Sequence, residues 1–253
     1  MVVVAEEKAD GLRVLVTGAS SGLGAAVVRR FSASGSHVAA LARREAALDE
    51  LAESGERVVS IVADVSDAAA AEDAVRRADA TLGGLDVVVN AAGIAPSARL
   101  ENLDSSAWTE VIDTNLSGAF YVSRASGLLM KSRQSGSIVN VASDLASMGA
   151  PDLVHYSASK AGVAGMSRAL AAELAPYVRV NAISPGPIDT PMMRNGLDNS
   201  PDPKLALEDK LASVPLARFA EADEISHVIE FLAVHATFAT GANWAVDGGT
   251  SAV

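Results

Sequence analysis

The chain has 253 residues, 49% of them hydrophobic, which is enough for one large core and borderline for two domains. Its 31 acidic against 20 basic residues give a net charge of −11, which argues against nucleic acid or an anionic membrane surface as partner, because both need a basic footprint. With no cysteine, disulfides, thiolate catalysis and cysteine-held metals are excluded, and His37, His155, His227 and His235 stand at no metal-binding spacing, so no metal is expected.

In chain order, Leu12–Thr17 is an apolar run that reads as a buried strand. Gly18–Gly24 is a glycine- and serine-rich turn, followed by a helix over Ala25–Ser34 with Val27, Val28 and Phe31 on one side. Further strands are expected at His37–Leu41, Val58–Val62, Leu85–Val89, Ser137–Val141, Val178–Ile183 and Asn243–Val246. Helices are expected at Glu45–Glu53, Ala68–Leu82, a long stretch Ser105–Lys131, His155–Ala175 and Ala222–Phe231. Asp189–Val214, with Pro191, Pro201 and Pro203, reads as an irregular connection of the kind that forms a lid or binding loop. Strands alternating with long helices mean parallel pairing with right-handed crossovers. The fold class is therefore α/β: a single-domain, doubly wound, Rossmann-like parallel sheet of about seven strands flanked by helices, spanning 1–253 with a substrate lid at 189–214. His155–Ala175 is small and apolar almost all round, so one side should meet the sheet and the other a partner subunit. The N-terminus lacks a basic start and a long apolar run, and no stretch could span a bilayer, which sets the expected location in the cytoplasm, away from membranes.

The turn Thr17-Gly18-Ala19-Ser20-Ser21-Gly22-Leu23-Gly24 follows the first strand and opens the first helix, the context of a dinucleotide site. Glycines let a pyrophosphate approach the backbone, and the helix N-terminus offers free N–H groups. An ordinary strand–helix turn is the alternative. The residue that reads the adenosine ribose belongs at the end of the second strand. There the chain reads Leu41-Ala42-Arg43-Arg44-Glu45, without an acid at Ala42. Guanidinium groups suit phosphate oxygens, so NADP(H) is favoured over NAD(H). The alternatives are that the two arginines are a solvated helix start, or that Glu45 reaches the ribose.

Tyr156 and Lys160 are four apart at a helix start, so both project from one face. An ammonium beside a phenol favours the phenolate and makes tyrosine a usable acid or base. With three tyrosines and five lysines, such a pair arises by chance about 6% of the time, so the pair gains its weight from the glycine turn.

Taken together, the sequence resembles the short-chain dehydrogenase/reductase family, of the 3-oxoacyl-carrier-protein reductase or general ketoreductase type, from Leu12 to about Thr250. The motifs recur in order: Thr17–Gly24, Asp64-Val65, Asn90-Ala91-Ala92-Gly93, Asn115, Ser143, Tyr156-Ser157-Ala158-Ser159-Lys160, Pro185-Gly186 and Asp247-Gly248-Gly249. The resemblance implies an NAD(P)(H)-dependent oxidoreductase that interconverts a ketone and a secondary alcohol. Tyr156 would move the proton, Lys160 would lower its pKa and hold the nicotinamide ribose, and Ser143 would bond the substrate oxygen. Asn115 would hold a water that links Lys160 to solvent. Gly18, Ser20, Ser21, Gly22, Leu23 and Gly24 would line the cofactor, Asp64 and Val65 would meet the adenine, and Asn90, Ala91, Ala92 and Gly93 would lie behind the ribose. Pro185 and Gly186 follow the sixth strand, and Ile188 and Thr190 would bond the carboxamide. Taken singly, Asn115 could be a packing residue, Ser143 a strand cap, and Asp64 a cap of the next helix.

The family's usual Asn-Asn-Ala-Gly is Asn90-Ala91-Ala92-Gly93 here, which removes one amide from that turn. Asp144 adds a carboxylate near the pocket mouth, read as a solvated loop acid that could otherwise disfavour anionic substrates. Leu145, Met148, Leu153, Met192 and Met193 are the expected substrate lining, which suits a small or medium, mainly apolar ketone. His155 is expected to pack beside Tyr156. Lys131 and Arg133 could form a docking patch for an acidic carrier protein. A nucleotide-binding scaffold without turnover would predict a damaged catalytic set, and this set is intact. The resemblance also implies a homotetramer or homodimer.

Overall fold

The computed structural model describes residues 11–53, 55 and 57–252. Seven strands form one wholly parallel sheet: β1 (Arg13–Thr17), β2 (His37–Ala42), β3 (Val58–Val62), β4 (Val87–Asn90), β5 (Gly136–Val141), β6 (Val178–Pro185) and β7 (Asn243–Val246). Their order is β3-β2-β1-β4-β5-β6-β7. Nine α-helices accompany them among the described residues: α1 (Gly22–Ala33), α2 (Glu45–Glu53), α3 (Ala68–Leu82), α4 (Ser105–Ile112), α5 (Gly118–Ser132), α6 (Val154–Leu174), α7 (Pro191–Asp198), α8 (Pro203–Ala212) and α9 (Ala222–Glu230).

The strands are apolar on both sides because both sides are covered. Val14 and Val16 of β1 face the layer that holds α1, α2 and α9, with Val27, Phe31, Leu48 and Ile229. Leu15, between them, faces the opposite layer, against Ala74 and Val75 of α3 and Met130 of α5. The strand period of two thus places successive β1 residues in two separate cores. Buried apolar area of this extent is what stabilises the three layers, at roughly 25 cal/mol per Å² removed from water.

Strand order reverses between β1 and β4, which leaves a crevice beyond their carboxyl ends. The backbone there is tied across the switch point. The Thr17 hydroxyl accepts from the N–H groups of Ala91 and Ala92, both at 3.1 Å. This anchor holds the Asn90–Gly93 turn although the family's second asparagine is missing.

The structure changes two expectations for the helices. The stretch read as one helix from Ser105 to Lys131 is α4 and α5 joined by a π-helical turn, Asp113–Ser117. The segment expected to be irregular holds α7 and α8. Pro191 and Pro203 sit at the first turn of these helices, where a missing N–H costs nothing, and Thr190 and Asp202 cap them through Met193 N–H and Leu205 N–H. No helix among the described residues is long and apolar enough to cross a membrane.

Candidate active site

The loops at the carboxyl ends of β1, β2, β3, β4, β5 and β6 enclose a cleft of about 520 Å³. One end is the glycine turn. Gly18 has φ +68°, and a Cβ on it would lie 2.7 Å from the Ala92 backbone, so only glycine lets β1 and the β4 turn approach this closely. No side chain caps α1 at Ser21. An uncapped helix N-terminus that opens into a glycine-lined cleft fits a dinucleotide pyrophosphate. Gly18, Ser20, Ser21, Gly22, Leu23 and Gly24 all line it.

Ala42 ends β2, and Arg43 and Arg44 line the cleft beyond it. Arg44 donates to the hydroxyls of Ser20 at 3.0 Å and Ser21 at 2.7 Å. Arg43 lies 3.6 Å from Asp64. Burial pushes the Asp64 carboxyl up, but the N–H and hydroxyl of Ser66 and the charge of Arg43 outweigh it, so the group sits below its ordinary value. Helix α3 is capped by Asp67, which leaves Asp64 free to line the cleft with Val65. Glu45 is exposed in the first turn of α2 and is not among the cleft-lining residues.

At the other end, α6 brings Tyr156 and Lys160 under the carboxyl end of β5. The Lys160 ammonium lies 5.6 Å from the Tyr156 ring centre and donates to Val141 O at 2.8 Å. Burial brings Lys160 down to about 8. Burial also pushes the Tyr156 phenol up to about 12; a hydrogen bond with Ser143 opposes the rise and the charge of Asp144 adds to it. The expected depression of the phenol by its lysine is thus not met in the free protein. The ammonium is turned to a carbonyl, and desolvation of the phenolate dominates.

Ser143 caps the short 3₁₀ turn Asp144–Ala146 and lines the cleft. Asp144 is not a solvated loop acid. It is 6% exposed and accepts from the Ser143 hydroxyl at 2.7 Å and from Leu145 N–H at 2.8 Å.

Three expected site residues are not in the cleft lining. Asn90 turns its amide inward to Ser123 at 2.9 Å and Asn140 at 2.8 Å, in a buried network that ties β4 to β5 and α5. Asn115, in the π-helical turn, accepts from Ile94 N–H at 2.8 Å and donates to Ile94 O at 2.9 Å and Ser159 Oγ at 3.1 Å. It pins the β4 loop to α6 from behind. Met148 lies past the 3₁₀ turn and is not among the residues that line the cleft. Ala91, Ala92, Gly93, Pro185, Gly186, Ile188 and Thr190 line the cleft, as do Leu145, Leu153, Met192 and Met193. Sequence reasoning missed Ile94, Ala95, Ser97, Leu197 and Lys210, which also line it. The β4 loop is apolar without period, and only the parallel sheet order puts it opposite α7. Among the described residues no group of three acidic, histidine or cysteine side chains could hold a metal ion.

The family model described as enoyl-(acyl carrier protein) reductase matches residues 18–251. The chain is 37% identical over 246 residues to 3-oxoacyl-[acyl-carrier-protein] reductase of Thermotoga maritima, covering 95% of this chain and 98% of the relative. It is 41% identical over 246 residues to galactitol 2-dehydrogenase (L-tagatose-forming) of Cereibacter sphaeroides, covering 95% of each. Among solved structures, levodione reductase superposes with a TM-score of 0.90 at 33% identity, covering 95% of this chain and 97% of that one. The chain belongs to the short-chain dehydrogenase/reductase family, whose members are oxidoreductases of ketone and alcohol groups that use NAD(P). The names of these relatives run from a carrier-bound acyl group to a sugar alcohol, so membership alone does not select the substrate.

Proposed function

We propose that this protein interconverts a medium-sized, mainly apolar ketone and its secondary alcohol with NADP(H), Tyr156 acting as acid in reduction and base in oxidation. The observation that carries the reading is one cleft with Ser143, Tyr156 and Lys160 at one end and an uncapped, glycine-lined helix N-terminus at the other. The bound cofactor supplies or removes a hydride at its nicotinamide ring.

The chain's own residues do the rest. The α1 N–H groups and Gly18–Gly24 hold the pyrophosphate. Arg43 and Arg44 meet the 2′-phosphate, Asp64 and Val65 the adenine, and Ala91–Gly93 the ribose side. Pro185, Gly186, Ile188 and Thr190 place the carboxamide, and Lys160 bonds the nicotinamide ribose. Tyr156 Oη gives its proton to the substrate oxygen, and Ser143 bonds that same oxygen. A Cβ on Gly93 would lie 3.2 Å from Asn115 Oδ1 and 3.5 Å from Lys160 Nζ. Glycine therefore keeps side-chain atoms away from these two groups, and a water bridging Asn115 and Lys160 would give Lys160 a route to refill the phenol's proton.

Leu145, Leu153, Met192 and Met193 supply an apolar wall, and α7 and α8 form a lid over it. The exposed Trp108, Phe120 and Leu128 of α4 and α5, beside the exposed alanines of α6, support a homodimeric or homotetrameric state. Titration with NADPH and with NADH, followed by reduced-nicotinamide fluorescence, tests the cofactor reading. NADPH should bind at least tenfold tighter, and Arg44→Ala together with Arg43→Ala should remove about 1.5–3 kcal/mol of that preference. Equal binding of both would overturn the arginine assignment, and binding of neither would return the non-catalytic scaffold.

A further inference from the structure

Asp144 is a carboxylate set beside the reacting groups, and the reaction as proposed has no use for it. It is buried, with its Oδ1 taking the Ser143 hydroxyl at 2.7 Å and Leu145 N–H at 2.8 Å. We propose that Asp144 is a positioning residue that keeps the proton on Tyr156 and so sets the pH at which the site changes from proton donor to proton acceptor. This rests on Tyr156 being the acid–base group of the proposed reaction.

A serine hydroxyl has one hydrogen. Given to Asp144, that hydrogen is withdrawn from Tyr156, which weakens the one contact that opposes the phenol's rise. A donor to the phenol favours the phenolate, so diverting that donor favours the protonated phenol. The buried charge of Asp144 acts in the same sense, since a second anion beside it is opposed by like-charge repulsion. The other charged groups on the cleft wall are Lys160 on the same helix, Lys210 from α8, and Arg43, Arg44 and Asp64 at the ends of β2 and β3. His155, the helix neighbour of Tyr156, is held below its ordinary value by burial. Among these, Asp144 alone holds the hydroxyl that is in reach of the phenol.

During ketone reduction the phenol O–H bond breaks as the new alcohol O–H bond forms, and the hydride comes from the reduced cofactor. Ser143 must then turn its hydrogen from Asp144 to the substrate oxygen. Asp144 thus retains the proton while the site waits and releases the serine when substrate arrives.

The test is the titration of Tyr156 itself. Phenolate absorbance of the free protein minus that of Tyr156→Phe isolates this one phenol, with no turnover involved. In Asp144→Asn its midpoint should fall by about one pH unit. The alkaline rise of cyclohexanol oxidation should move down by a similar amount. Asp144→Ser, which keeps a hydroxyl for Leu145 N–H, should do the same and serves if the asparagine variant fails to fold. A phenol midpoint unmoved in the folded variant overturns the proposal. Turnover that persists in Tyr156→Phe would instead overturn the underlying reaction, and the two failures are distinct.

Discussion

Lys160 is the residue whose environment departs furthest from its chemistry. Its side chain is buried in the cleft wall with one carbonyl as hydrogen-bond partner, and that burial brings it from 10.5 to about 8. Between those two values the unfolded chain holds more protons than the folded one, so stability rises with pH through this window. Below about 8 the penalty of the buried charge is present in full. Lys160→Met should therefore unfold later at pH 7 by about 2 kcal/mol, and the gain should vanish above about pH 10. Denaturant unfolding at the two pH values checks this; a variant less stable at pH 7 would contradict it. The same substitution should abolish turnover, so stability is given up here for function. The lysine and tyrosine were legible from their spacing. Their titration was not, because it depends on burial by β5 and its turn, which no local pattern reveals.

At the scale of elements, the π-helical turn between α4 and α5 carries the most consequence. The sequence is continuous with a helix through Asp113–Ser117, and its apolar pattern gives no sign of the altered hydrogen bonding. Such turns cluster at functional sites. Here the turn offers Asn115 to the Ile94 backbone and Ser159, which joins the β4 loop to α6. Asn115→Ala leaves the Ile94 N–H and C=O short of a partner and takes a donor from the Ser159 hydroxyl, which keeps its bond to Tyr156 O, and should cost about 2–3 kcal/mol. It should also loosen the loop that lines the cleft, raising the KM for ketone along with the loss of stability. Retention of full stability in thermal unfolding would show that the turn is held by other contacts. The prolines of the lid misled in the opposite way. Pro191 and Pro203 were read as breakers, yet each follows a capping residue, Thr190 or Asp202, and starts a helix. The cap-then-proline pair was visible in the sequence and was the better signal.

For the molecule as a whole, alternation of apolar strands with helices was enough for the parallel sheet, since both layers demand continuous apolar strands. The glycine turn and the arginines after β2 fell at the carboxyl ends of neighbouring strands because the switch point lies there. Strand order also explains what stayed hidden. Asn90 looks like a site residue in sequence, but β4 is flanked by β1 and β5, and its side chain is drawn into the Asn140 and Ser123 network. Lys210 lies 50 residues beyond Lys160 in sequence and lines the same cleft.

The central claim is that Tyr156 moves the proton in a ketone–alcohol reaction driven by a nicotinamide cofactor. Following NADPH consumption with a series of medium-sized apolar ketones, in the parent protein and in Tyr156→Phe, tests it most directly. The account predicts turnover by the parent, with a loss of about 10²–10⁴-fold in the variant while NADPH affinity and folding are retained. A variant that turns over ketone as fast as the parent would contradict it.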